Sequence, residues 1–150
     1  MQTLRVSTKR IDYKDFTSLF KGPIQVELTN SALNNIRKSH ANLNNLLKHK
    51  KIIYGVNTGF GNLSHIHINK KDQNQLQTNL VRSHASAIGK PFELGIVRTI
   101  LFLKLLTYSR GYSGVSIELV KKIQELINKD ILPVIPEKGS VGASGDLAPL

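Results

Sequence analysis

The sequence predicts a mainly helical chain with a few short strands, and three observations carry that expectation. Apolar residues recur at steps of three and four along four separate stretches between Ser31 and Ile127. One of these, Phe92 to Arg110, is apolar on nearly every side, the pattern of a helix buried all round. Period-two alternation, by contrast, is confined to two runs near the N-terminus, Val6-Ser7-Thr8 and Ile24-Gln25-Val26-Glu27-Leu28.

Those two runs read as small strands flanking a turn at Gly22-Pro23, with one or two helical turns between Asp12 and Phe20. Leu33, Ile36, His40, Leu43 and Leu47 then line one face of an amphipathic helix from about Ser31 to Lys48. His40 lies on that stripe with no partner for a metal, so it reads as a packed histidine. Ile52-Ile53-Tyr54 suggests a strand end, and the glycines at 55, 59 and 61 force an irregular loop after it. His65 and His67 read as loop residues, since neither Asp, Glu nor a third His lies near enough to complete a zinc site. Asp72 with Gln75 has the form of a capping box, opening a helix that carries Leu76, Leu80, Val81, His84 and Ile88 and stops at Gly89 before Pro91. Gly111 and Gly114 end the apolar helix from Phe92. Ser116 caps a further one with Leu119, Val120, Ile123, Leu126 and Ile127 on one face. Pro133 and Pro136 break it and lead an extended segment into a glycine-rich loop.

Composition narrows the function. One hundred and fifty residues with 40% hydrophobic content suit one domain with a core. No cysteine is present, which removes disulfides, thiolate nucleophiles and Cys-zinc sites. No apolar run is long enough to span a bilayer, and the first residues lack the apolar centre of a signal peptide, so neither a membrane nor export is expected and a cytoplasmic setting is. The formal charge of +11 comes from dispersed Lys and Arg, densest at Lys48-His49-Lys50-Lys51. No nucleic-acid-binding signature accompanies it, so it reads as a solvated basic surface rather than a nucleic-acid site.

The last twelve residues, Gly139-Ser140-Val141-Gly142-Ala143-Ser144-Gly145-Asp146-Leu147-Ala148-Pro149-Leu150, carry the sharpest chemistry. Small residues let this backbone approach itself closely. Attack of the Gly145 amide nitrogen on the Ala143 carbonyl closes a five-membered ring. Loss of water there and from Ser144 leaves an exocyclic methylene, an electrophile that unmodified side chains do not supply. The step needs no β-branch on the attacked side, a hydroxyl that can leave, and a nitrogen whose residue has no Cβ. Other motifs fit less well: the run is not Gly-x-Ser-x-Gly, because Asp146 takes the fifth place, and it lacks the Gly-Lys-Ser/Thr of a phosphate loop.

This run resembles the signature of the aromatic amino acid ammonia-lyases, and within them the histidine-specific members. A second stretch, Tyr54-Gly55-Val56-Asn57-Thr58-Gly59-Phe60-Gly61, resembles that family's other signature, in the expected order. The resemblance implies the N-terminal part of a fumarase/aspartase-like helical fold, with residues 1–150 forming the first portion of a single lyase domain that breaks off at the cyclising loop. It implies a 4-methylidene-imidazol-5-one made from Ala143, Ser144 and Gly145, no external cofactor and no metal. Gly142 and Asp146 would hold the turn in the geometry that closure requires. Tyr54 would be the base for the substrate β-proton; a free phenol titrates near ~10, so such a base needs positive charge or hydrogen-bond donors beside it. Asn57 and Gly61 would serve substrate binding, and Gly59 would support a loop that shuts out water.

Ser83-His84 is the pair by which histidine-specific members differ from those taking phenylalanine (Phe-Leu) or tyrosine (His-Leu), so the resemblance puts His84 on the substrate imidazole. Arg82 departs from the apolar residue usual there, which leaves phenylalanine or tyrosine ammonia-lyases and aminomutases as alternatives. The activity implied is non-oxidative deamination of L-histidine to trans-urocanate and ammonia, in histidine catabolism. Its family setting is a homotetramer whose subunits share active sites, the Tyr54 loop and the ring coming from different chains. Residues 1–150 alone are then expected to be inactive for want of the rest of the pocket. The rival of another class is a non-catalytic remnant or partner module in which the ring never forms.

Overall fold

The computed structural model describes residues 2–9, 11–139, 141–142 and 145–146. They divide into one unit of Met1–Leu43 with Pro91–Ile135 and another of Asn44–Lys90 with Pro136–Leu150.

In the first unit, β1 (Thr3–Val6) and β2 (Gln25–Leu28) pair in parallel, Leu4 opposite Val26 and Val6 opposite Leu28. All four of these side chains are buried, as alternation along a half-buried strand requires. The first strand lies three residues earlier than the alternation suggested. Ser7 has already left it, taking the Lys9 N–H on its hydroxyl at 3.2 Å. The helical turns expected between Asp12 and Phe20 are present, as a 3-10 turn (Tyr13–Phe16) and α1 (Thr17–Lys21), and with the Gly22-Pro23 segment they form the crossover that parallel pairing demands. Asp12 caps the 3-10 turn at the Lys14 N–H, 2.9 Å away.

Two helices close over this pair. α4 (Leu94–Ser109) buries Val97, Leu101, Phe102, Leu105 and Leu106, though Leu94 and Leu103 reach solvent. α5 (Ile117–Asn128) begins at Ser116, whose hydroxyl accepts the Leu119 N–H as expected, and buries Val120, Ile123 and Ile127; Leu119 itself faces out. Asn128 completes the free edge of β2 as another strand would. The Val26 N–H donates to its Oδ1 at 2.7 Å, and its Nδ2 donates to the Val26 carbonyl at 3.1 Å. Where α4 crosses α1 only glycine fits: a Cβ on Gly95 would sit 2.5 Å from Phe20 Cδ1 and 2.9 Å from Phe20 Cα.

One buried ion pair holds this unit from a side the sequence did not flag. Arg98, almost fully enclosed on α4, donates from Nε and Nη2 to both Asp130 oxygens at 2.7 and 3.0 Å, and from Nη1 to the Leu19 carbonyl at 3.3 Å. The guanidinium holds the Asp130 carboxyl below its usual range, chiefly through these hydrogen bonds. α2 (Asn30–Lys48) starts in this unit with Ala32 and Ile36 buried. His40 packs as expected: its Nδ1 lies 2.9 Å from the Gly114 carbonyl, which can only accept, so the nitrogen donates.

The second unit contains α3 (Lys70–His84), with β3 (Ala87–Pro91) paired to β4 (Pro136–Gly139), and β5 (Val141–Gly142) antiparallel to β6 (Gly145–Asp146). α3 corrects the sequence reading at both ends. It begins at Lys70, so Asp72 lies inside the first turn with its N–H on the Asn69 carbonyl, and Gln75 bonds forward to Asn79 at 2.7 Å rather than back. It stops at His84, because Ser83 Oγ and His84 Nδ1 both turn onto the Leu80 carbonyl and Ala85 leaves the helical region. Ile88 and Gly89 therefore belong to β3, recruited by a strand nearly fifty residues away. Among the described residues no helix is long and apolar enough to cross a membrane, and no three His, Cys, Asp or Glu side chains group to hold a metal.

Candidate active site

The Tyr54 loop is built from polar contacts. Between residues 44 and 90 no apolar side chain is buried; the enclosed residues are Asn57, Thr58 and Gly59. Burial of apolar surface therefore cannot fix the loop, and hydrogen bonds do. Asn57 Oδ1 accepts the Ile53 N–H at 2.8 Å, and its Nδ2 donates to the Lys51 carbonyl at 2.8 Å. Its backbone N–H donates to the Ile53 carbonyl at 3.2 Å, and its carbonyl accepts the Ile68 N–H at 2.9 Å. This corrects the expected strand end at Ile52-Ile53-Tyr54: the ladder groups of Ile53 are taken by Asn57, so the segment turns instead of pairing.

Thr58 Oγ1 adds a second clasp, accepting the Gly55 N–H at 3.2 Å and donating to the Gly59 carbonyl at 2.9 Å. Thr58 and His67 also form an antiparallel backbone bridge across the loop. Gly59 is required by close approach, since a Cβ there would lie 2.7 Å from both the Leu63 Cβ and the Leu63 carbonyl oxygen.

Tyr54 leaves this clasped turn and is 62% exposed. Two contacts set its ring: an edge-on packing against Phe60 at 5.8 Å between centroids, and the Gly61 N–H, which donates to the phenolic oxygen at 3.2 Å. Tyr54, Asn57, Gly59 and Gly61 are thus gathered in one loop. Phe60 was not singled out from the sequence; its spacing of six residues from Tyr54 around a reversing glycine run was the available signal.

His84 stands in the exposed last turn of α3. Its Nδ1 lies 2.9 Å from the Leu80 carbonyl and 3.0 Å from Ser83 Oγ; the carbonyl fixes Nδ1 as the donor, leaving Nε2 of the neutral ring as an acceptor. α3 reaches the Tyr54 loop through Gln77, whose Nε2 donates to the Gly55 carbonyl at 3.3 Å, a contact the sequence did not announce.

Ala143 and Ser144 lie outside the described residues. The backbone on either side is paired, Gly142 opposite Gly145 and Val141 opposite Asp146.

Comparison with known proteins gives the family and the fold. Residues 11–150 match the family model described as aromatic amino acid lyase. The histidine ammonia-lyase of Staphylococcus saprophyticus is 41% identical over 148 residues, covering 99% of this chain and 30% of that protein. Among solved structures, the tyrosine aminomutase of Streptomyces globisporus superposes with a TM-score of 0.88 at 29% identity, over 98% of this chain and 27% of the other. The histidine ammonia-lyase of Trypanosoma cruzi does so with a TM-score of 0.84 at 27% identity, over all of this chain and 29% of its own. The chain spans about 30% of the length of the curated relatives it matches. With the family model covering all but the first ten residues and the helical architecture shared with solved members, the chain belongs to the aromatic amino acid lyase family.

Proposed function

We propose that the protein is an ammonia-lyase acting on L-histidine, giving trans-urocanate and ammonia, and that residues 1–150 supply the first part of its single lyase domain. The observation that carries this is the coincidence, in a family member, of the clasped Tyr54 loop with the self-pairing backbone around Ala143-Ser144-Gly145. A β-proton of very low acidity must leave while an amine departs, which calls for an electron sink that no ordinary side chain provides. A methylidene-imidazolone made from Ala143, Ser144 and Gly145 supplies an electrophilic carbon for that purpose, with no external cofactor; the residues fit, being the small, hydroxyl-bearing and Cβ-less types that closure needs.

The remaining roles fall to side chains. Tyr54 Oη takes the β-proton, held at its station by the Gly61 N–H and the Phe60 ring. His84, with Nδ1 committed to Leu80, presents Nε2 to the N–H of a substrate imidazole, a pairing that phenylalanine cannot satisfy. Gly142 and Asp146, in the paired backbone on either side of Ala143-Ser144, support ring closure, and Gly59 permits the tight path by which the loop excludes water. The exposure of Ile52, Tyr54, Leu63, Val81 and Ile88 in a stretch that buries no apolar side chain supports a site completed by other subunits of a homotetramer, and a 150-residue chain inactive by itself. A cytoplasmic setting is part of the same proposal.

The test is turnover by the full-length protein with L-histidine, L-phenylalanine and L-tyrosine side by side. Rising urocanate absorbance with L-histidine, at a kcat/KM about a hundredfold or more above the others, is expected. Cinnamate or coumarate as main product, or a β-amino acid, establishes the lyase or aminomutase alternative that the solved neighbours represent.

A further inference from the structure

We propose that Asn57 is a positioning residue: it fixes the turn from which Tyr54 departs and does not itself contact substrate. The inference deepens the lyase reading and, for its kinetic half, rests on it. All four polar atoms of Asn57 are engaged within the loop, to Ile53 N–H, the Ile53 and Lys51 carbonyls, and Ile68 N–H, at 2.8 to 3.2 Å. The residue is 3% exposed, so a ligand would meet neither face of its amide. Both side-chain bonds close rings around position 54: one spans Ile53 to Asn57, the other Lys51 to Asn57.

The loop has no apolar core to take over this task. Removing the amide leaves the Ile53 N–H and the Lys51 carbonyl without their partners and frees the backbone on the N-terminal side of Tyr54. The Gly61 N–H to Tyr54 bond, made across seven residues, holds the ring only while that turn is fixed. Asn57 thereby acts on the reaction through Tyr54, in the proton-transfer step rather than in binding.

Two measurements on the full-length protein test this. In the unmodified protein, residue-resolved hydrogen exchange is expected to show the Ile53 amide exchanging at least about tenfold more slowly than the neighbouring Ile52 amide, which has no acceptor among the described residues; equal rates overturn the proposal whatever reaction the protein catalyses. In Asn57→Ala, protection at Ile53 and Ile68 is lost while that of residues 94–128 is kept, and kcat falls about a hundredfold with KM for L-histidine within about twofold. A raised KM at unchanged kcat makes Asn57 a substrate contact and overturns the proposal. If the wild-type protein turns over no aromatic amino acid, the lyase reading fails and the exchange comparison still decides the role of Asn57.

Discussion

Replacing either member of the Arg98–Asp130 pair tests how the first unit is held. Asp130→Asn is the cleaner change, since Asp130 sits at a backbone φ of +52°, a left-handed conformation that Asn adopts readily. It keeps one acceptor but sets an amide N–H against the guanidinium. Breaking a buried pair from one side costs about 3–5 kcal/mol, and the 28% exposure of the Asp130 side chain moves this case to about 2–3 kcal/mol. Arg98→Met is costlier, about 3–5 kcal/mol, because the Leu19 carbonyl loses its donor too. The double variant then falls short of the sum by about 1–3 kcal/mol. Urea unfolding followed by far-UV circular dichroism reads all three. The pH dependence has a fixed sign. Asp130 has a folded pKa below its unfolded value, so its contribution is complete above about pH 4 and disappears as pH falls through the folded pKa. The penalty of Asp130→Asn therefore shrinks on acidification. Additive single-variant costs at pH 7, or a penalty unchanged well below pH 4, would refute the account.

Three further outcomes follow from the packing and the site. Gly95→Ala destabilises by about 1–3 kcal/mol in thermal unfolding, although alanine is the better helix former by about 1 kcal/mol, because the new Cβ meets Phe20 backbone as well as ring. Asn128→Ala leaves the Val26 N–H, in a residue only 2% exposed, without an acceptor and costs about 1–3 kcal/mol, measured by denaturant midpoint. His84→Leu lowers kcat/KM for L-histidine by about a hundredfold while that for L-phenylalanine holds or rises, read from parallel progress curves.

What the sequence disclosed follows a physical line. α5 was legible in its start and its face because Ser116 and the 3.6-residue period are local signals. α4 was legible because a helix apolar all round has few other fates. The end of α3 was not, since Ile88 and Gly89 are claimed by β4, and no local pattern reports a partner so distant. Asp72 and Gln75 had the spacing of a cap, yet the helix found its cap position three residues earlier, at Asn69, and the carboxylate fell into its first turn. In the site, motif resemblance located the Tyr54 loop, whereas the work of Asn57 on the Lys51 and Ile53 backbone became visible only with hydrogen-bond geometry. The Arg98–Asp130 pair, thirty-two residues apart and involving an arginine in an apolar run, left no signal in spacing at all.

The protein's catalytic claim stands on one covalent event, and mass spectrometry of the peptide carrying residues 139–150 from mature full-length protein reads it directly. A peptide lighter by two waters than its sequence, and restored to full mass in Ser144→Ala apart from the substitution, is the predicted result. A peptide of unmodified mass, with the Ser144 hydroxyl intact, would contradict it.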